Sequence, residues 1–358
     1  MKYRIEKGAG RPAYLQLYDQ LKRDIVGGLY PYGVRLPSKR LLAAETGLSV
    51  IPVERAYELL CDEGYAEARQ RSGFFAVYRE GELLALPETA VPVERRPHTV
   101  RGEFPFSVMA KTMRRVLLDR GEEILVKSPN HGCAELRSAI AAYLARNNGM
   151  TVRPEQVIVG SGAEYLYSLI VQLLGKERIF ALEQPSYEKI RRVYEANGVR
   201  CELLKMGRDG IRTSELERSR ATVLHVTPFN SWPSGVTAGA SKRSEYLRWA
   251  EKRDGFLIED NYDAELTVSK KSEDPVFSMS RQGRVLYLNT FSQTIAPAIR
   301  AGYLILPERL LELFEQKLGF YSCTVPVFEQ YVLAELLCTG DFERHVNRIR
   351  RAKRKEMG

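Results

Sequence analysis

Cysteine is scarce and scattered: five residues, Cys61, Cys133, Cys201, Cys323 and Cys338, lie far apart with no metal-ligand spacing. The odd number and the spacing exclude a disulfide framework and a zinc site, and they suit reduced thiols acting as core filler. No apolar run approaches the length of a membrane span, so a membrane protein is excluded. The start, Met1-Lys2-Tyr3-Arg4-Ile5-Glu6-Lys7, has mixed charge and no apolar stretch of the kind that begins a secretory signal, which places the chain in the cytoplasm. What is present is a globular composition of 358 residues, 44% hydrophobic and 28% charged, long enough for two domains. The formal charge of +9 favours a polyanionic partner, although charge alone does not separate nucleic acid from general solubility.

Residues 12 to 78 read as a helical unit ending in a hairpin. Leu15, Tyr18, Leu21, Ile25 and Leu29 recur at helical spacing until Gly27-Gly28 and Pro31-Tyr32-Gly33 break the pattern. Ser38 then caps a short helix that stops at Gly47. Val53, Ala56, Tyr57 and Leu60 mark one face of a third helix that runs to Gly64-Tyr65, and Ala66 to Tyr78 alternates around Ser72-Gly73 as a small hairpin.

Helix, short helix, tight turn, helix and wing is the winged helix-turn-helix order. Leu36-Pro37-Ser38-Lys39-Arg40-Leu41-Leu42-Ala43 and Asp62-Glu63-Gly64-Tyr65 resemble the GntR-type DNA-binding domain. The resemblance implies double-stranded DNA as partner. Arg35, Ser38, Lys39 and Arg40 would meet phosphates, where backbone amides and positive charge favour an anion. Ser49, Val50, Ile51 and Glu54 would read bases from the third helix, and Arg71 would reach from the wing. The chain departs from the family where Ser49-Val50-Ile51-Pro52-Val53 replaces the usual Ser-Arg-x-Thr-Val, and Val50 cannot hydrogen-bond guanine or phosphate. The bland alternative for Arg35, Lys39, Arg40 and Arg55 is a solvated surface.

Residues 79 to 103 lose periodicity and gather Pro87, Pro92 and Pro97, the composition of a tether between residues 1–78 and 104–358. Beyond it, apolar runs at residues 157–159, 179–182, 223–226, 256–258, 285–288 and 303–306 alternate with amphipathic helices. Runs that are continuously apolar imply strands buried on both faces, hence an α/β fold with a mostly parallel sheet and ligands at the carboxyl ends of its strands.

Several segments sit at those ends. Gly160-Ser161-Gly162-Ala163 follows one strand and opens a helix, a plausible phosphate cradle and equally an ordinary tight turn. Glu183-Gln184-Pro185-Ser186-Tyr187 offers an aromatic that could stack on a flat ring. Thr227-Pro228-Phe229-Asn230-Ser231-Trp232-Pro233-Ser234-Gly235, Glu259-Asp260-Asn261-Tyr262-Asp263 and the run Thr290 to Tyr303 follow. In this order, and behind a GntR-type head, they resemble the fold-type I, pyridoxal-phosphate-dependent transferase-like domain of MocR-type regulators across nearly all of residues 104 to 340.

The resemblance implies that Asp260 pairs with a pyridine nitrogen and Tyr262 with the ring hydroxyl, with Tyr187 and Asn230 beside the ring. It implies that Ser161, Gly162, Ala163, Thr290, Ser292 and Arg300 hold the phosphate, and that Asn130-His131-Gly132 lies on the substrate side. The family's Schiff-base lysine is replaced by Gln293, whose amide is a poor nucleophile, so pyridoxal phosphate would bind without a covalent bond. Glu164 brings a carboxylate to the phosphate, a like charge that costs affinity unless Arg300 or helix dipoles offset it. Asn230-Ser231 stand where the family has His-Gln. The chain ends at Gly358, where relatives continue into a C-terminal subdomain, so the body is expected to be incomplete. The reading is a homodimeric transcriptional regulator sensing pyridoxal phosphate or an amino-acid-related effector; a pyridoxal-phosphate aminotransferase and an inert relic of the family are the alternatives.

Overall fold

The computed structural model describes residues 3–6, 11–70, 72–79, 104–262, 264–266 and 274–357. Arg71 and nearly all of the expected tether, residues 80–103, lie outside them. The chain divides into two compact units, Met1–His98 and Thr99–Gly358.

In the first unit, helix α1 (Ala13–Val26) buries Leu17, Tyr18, Leu21 and Ile25 against Val53, Ala56, Tyr57 and Leu60 of α3 (Val50–Asp62). The spacing of these positions puts one apolar stripe on each helix, and each fully buried Leu or Ile contributes about 1.5–3 kcal/mol. Leu29 is not on that stripe; the helix stops at Val26 before Gly27-Gly28, and Leu29 is exposed. Between the two helices lies α2 (Lys39–Thr46). Ser38 Oγ accepts its Leu41 amide at 3.2 Å, and Gly47 closes it in the left-handed conformation at φ 70°. Strands β1 (Ala66–Arg69) and β2 (Gly73–Ala76) pair antiparallel as the wing, with Phe74 stacked on Tyr57 at 4.3 Å between ring centroids.

The second unit begins with α4 (Phe106–Arg120) and α5 (Ala134–Asn148), then alternates strands and helices: β3 (Val157–Gly160), α6 (Ala163–Leu174), β4 (Ile179–Gln184), α7 (Glu188–Ala196), β5 (Arg200–Lys205), α8 (Thr213–Arg218), β6 (Val223–Val226), α9 (Ala240–Lys252) and β7 (Phe256–Asp260). After α10 (Val276–Met279) come β8 (Val285–Thr290), β9 (Gly302–Ile305), α11 (Leu311–Leu318), α12 (Val327–Cys338) and α13 (Asp341–Met357). Seven strands form one sheet in the order β3-β9-β8-β7-β6-β4-β5, and only β9 runs against its neighbours.

The six apolar runs all became strands, and alternate residues explain why they read as continuous. Val157, Val159, Tyr303 and Ile305 pack into a core with α5 and α12, while Ile158, Leu304 and Leu306 pack into another with α6 and α11. The seventh strand, β5, escaped the sequence pattern because it is an edge strand, half-covered and mixed in polarity, Arg-Cys-Glu-Leu-Leu-Lys. No described helix is long and apolar enough to cross a membrane.

Candidate functional site

At the start of α3 the backbone of Ser49 is extended, and its side chain makes no cap. Val50 and Ile51 are exposed there, Ile51 to 74%. Arg40 is exposed on α2 and has no ion-pair or hydrogen-bond partner among the described residues. Arg35 is also exposed, its guanidinium held over the wing: a methyl at Gly73 would stand 3.3 Å from Nε. Lys39 and Glu54, expected to face DNA separately, instead form an ion pair joining α2 to α3. Within that pair the opposite charges offset each other, and the exposed Arg35, Arg40 and Arg55 add positive charge to this unit.

In the second unit, the carboxyl ends of the sheet strands open onto a cavity of about 530 Å³. Asp260, the last residue of β7, is 2% exposed. Tyr167 of α6 donates its hydroxyl to one Asp260 oxygen, and the Tyr262 amide donates to the other at 3.2 Å. His225 of β6 lies behind, with Nε2 3.5 Å from Asp260, an electrostatic contact too long for a good hydrogen bond, and Nδ1 2.7 Å from the Tyr194 hydroxyl. Burial, then the neighbouring carboxylate, pushes the Tyr167 and Tyr194 phenols well above their ordinary range. Both phenols therefore keep their protons near neutral pH, and the Tyr167 hydroxyl is a fixed donor to the Asp260 carboxylate.

The opposite end of the cavity is ionic. Gly162 opens α6 at φ 86°, and a Cβ there would come within 2.8 Å of the Arg300 guanidinium, so only glycine lets Arg300 approach. The Arg300 guanidinium sits 2.9 Å from Glu164, and the Lys189 ammonium 2.8 Å from the other oxygen of the same carboxylate. The bond from Lys189 pulls the Glu164 carboxyl below its usual range, and the same bond raises Lys189, so this pair is ionised near neutral pH. Like-charge cost was the expectation for Glu164; the structure places it between two cations.

Of the residues the resemblance assigned to a cofactor, Ala163, Tyr187, Asn230, Asp260, Tyr262, Thr290, Ser292 and Arg300 line this one cavity, together with Gln293. Ser161 does not: its amide goes to Thr324 Oγ1 at 3.1 Å, because the turn before α6 packs against the segment leading into α12. Gly162 contributes only as the seat of Arg300. Asn130-His131-Gly132 does not line the cavity either. Asn130 donates to the Gly319 carbonyl at 2.8 Å, and His131 lies 3.3 Å from Glu315 and edge-on to Phe314, tying this turn to α11. Ser231 is fully buried and donates to Glu183 at 2.6 Å. Tyr167, Lys189 and His225 belong to the site and were missed. Tyr167 stands one helical turn from Glu164 and Lys189 two residues past Tyr187, spacings that place each beside an assigned residue, but their residue types read as core or surface.

These residues do not fit a covalently held pyridoxal phosphate. Gln293 offers no amine, Arg300 is already bridged to a carboxylate, and Asp260 already accepts from a phenol. Lys189 is the amine on the wall, but its bond to Glu164 keeps it an ammonium without a lone pair.

Residues 13–76 match the bacterial regulatory proteins of the gntR family and residues 99–357 the aminotransferase class I and II family. The HTH-type transcriptional regulator YdeL of Bacillus subtilis is 32% identical over 96% of this chain and 77% of its own length. The probable rhizopine catabolism regulatory protein MocR of Rhizobium meliloti is 28% identical over 97% of this chain and 76% of its own. Among solved structures, an archaeal alanine:glyoxylate aminotransferase superposes with a TM-score of 0.63 at 25% identity, over 68% of this chain and 62% of that one. With a GntR-type head, an aminotransferase-type body and relatives that span nearly its whole length, the chain belongs to the MocR-type HTH transcriptional regulators.

Proposed function

We propose that the winged-helix head binds operator DNA and that the body, without catalysing amine transfer, dimerises and couples a small ligand to DNA affinity. The observation that carries the first part is the open start of α3, with Val50 and Ile51 exposed and Arg40 unpartnered among the described residues. Hydrophobic side chains there suit thymine methyls, and Arg35 and Arg40 suit phosphates. The fold family of the body binds pyridoxal phosphate. Amine transfer needs a nucleophilic amine to take the substrate's place and to shuttle a proton, and Gln293 supplies neither. Dimerisation draws support from the exposed Phe106, Leu118, Leu125 and Val126 on and just beyond α4. An effector that favours one arrangement of the dimer changes DNA affinity by linkage.

Mobility retardation of operator-containing and scrambled DNA across a salt series tests the head. Preference for one sequence that persists at moderate salt is expected, and equal retardation of all sequences that vanishes there would sink operator recognition. Incubating the chain with pyridoxal phosphate, an amino acid and a keto acid tests the body; sustained product formation would restore the enzyme reading. Sedimentation of the full chain as a monomer at micromolar concentration would remove the dimer.

A further inference from the structure

The two ends of the cavity that a phosphorylated pyridine would grip are both met by one helix. Glu164 and Tyr167 stand one turn apart on α6 and so share a face. Glu164 engages Arg300 at 2.9 Å and Lys189 at 2.8 Å, using one oxygen for each, and Tyr167 donates to Asp260. The helix thus presents a carboxylate in the place of a phosphate and a phenol in the place of a protonated ring nitrogen.

Charge decides what can still enter. Two cations and one carboxylate leave the ionic end with one net positive charge. A phosphate monoester carries about −1.5 to −2 at neutral pH and would leave that end negative, beside Glu164. A carboxylate brings it to neutrality. Arg300 has donors to spare, since among the described residues it makes, beyond Glu164, only a 3.5 Å contact with Ser292, and a guanidinium fork suits a carboxylate. At the rim, Tyr187 and Trp232 are exposed to 49% and 63% and offer ring faces to a flat ligand. The volume of about 530 Å³ is that of a small-molecule site.

We propose that this cavity binds a flat, ring-bearing monocarboxylate, gripped by Arg300 and Lys189 and covered by Tyr187 and Trp232, and that Glu164 and Tyr167 together bar phosphorylated pyridines. The assignment rests on the reading of the body as a ligand sensor and names the class of ligand.

Calorimetric titration of the full chain tests it with three probes: indole-3-acetate, pyridoxine and pyridoxine 5′-phosphate, the last two lacking the aldehyde that would attach to surface lysines. Indole-3-acetate should bind the unaltered chain more tightly than pyridoxine 5′-phosphate, and Arg300→Ala should weaken it by roughly tenfold or more. Glu164→Gln should tighten pyridoxine 5′-phosphate by roughly tenfold while leaving pyridoxine unchanged, which locates the effect at the phosphate. Adding Tyr167→Phe should tighten both pyridoxine forms by freeing Asp260. Glu164 is a partly exposed side chain, so the single variant remains informative if the double one fails to fold.

Two results overturn the proposal: pyridoxine 5′-phosphate binding the unaltered chain as tightly as it binds Glu164→Gln, or indole-3-acetate binding that is absent or indifferent to Arg300→Ala. DNA retardation with and without indole-3-acetate keeps the two readings apart. Binding without any change in retardation would end the sensor reading and leave the ligand class standing. Retardation that answers to an effector other than a monocarboxylate would do the reverse.

Discussion

In the head, the exposed guanidinium of Arg40 meets no carboxylate among the described residues, whereas in the body Arg300 is tied to Glu164 at 2.9 Å. Both residues were assigned to phosphates on the strength of motifs. One lies on a convex surface whose anionic partner would be a macromolecule, and its charge is left solvated. The other lines a cavity, half exposed, and there the chain itself supplies its counter-ion. A basic residue in a motif therefore shows which anion it can take only once the counter-charges of its own neighbours are counted.

The largest effect expected from breaking this comparison is in the head's core. Tyr57 is fully buried and stacked on Phe74, so Tyr57→Ala should cost about 3–5 kcal/mol. That is enough to unfold so small a unit, and DNA retardation should vanish while the body keeps its own thermal transition. Simultaneous loss of the body's transition would show that the two units do not fold independently.

Next comes a buried carboxylate in the body. Glu259 accepts the Val276 and Phe277 amides and the Asn261 side chain, yet burial outweighs these bonds and raises its carboxyl from an ordinary 4.5 to about 7. The folded state keeps a proton that the unfolded chain has released. Its contribution is therefore full below pH 4.5 and drains away as pH rises to about 7. Urea unfolding of the body should give a stability lower at pH 8 than at pH 5 by about 3 kcal/mol from this group. Glu259→Gln should flatten that fall, and an unchanged slope would assign the effect elsewhere.

Smaller effects belong to the DNA surface. Arg40→Ala should weaken all sequences about equally and lower the salt slope by about one, and an unchanged slope would take Arg40 out of the interface. Smallest of all is Glu54→Gln. The exposed Lys39–Glu54 pair contributes roughly 0.2–1 kcal/mol to folding, so the variant should unfold almost as before. Its freed lysine should raise the salt slope, and an unchanged slope would take Lys39 out of the phosphate contacts.

Much of this was legible because burial on two faces writes itself into composition. Ile158 and Val159 face different cores, and both positions must be apolar, so β3 could be read without knowing its neighbours. Edge strand β5 carries Arg200, Glu202 and Lys205 because one side is open, and nothing in that run announces a strand. The cofactor motifs likewise located the wall of the cavity. Their chemistry was another matter, because it depends on side chains brought in from helix faces. A tyrosine at 167 or a lysine at 189 is ordinary until its partner is known to be Asp260 or Glu164. Glu164 itself was noticed, but not that Lys189 and Arg300 stand on either side of it and use its two oxygens.

The placement of β9 governs when the body can form during synthesis. Strand β3 has a single sheet neighbour, β9, and Val157 lies opposite Ile305. Until residues 302–305 have left the ribosome, β3 has no strand to pair with and the adjoining edge of β8 stays open as well. Insertion of β9 between them is a non-local step with a high loop-closure cost. A nascent chain halted before Gly302 can hold a folded head, since the winged helix closes within its own residues, but its sheet carries two unsatisfied edges that recruit chaperones or other strands.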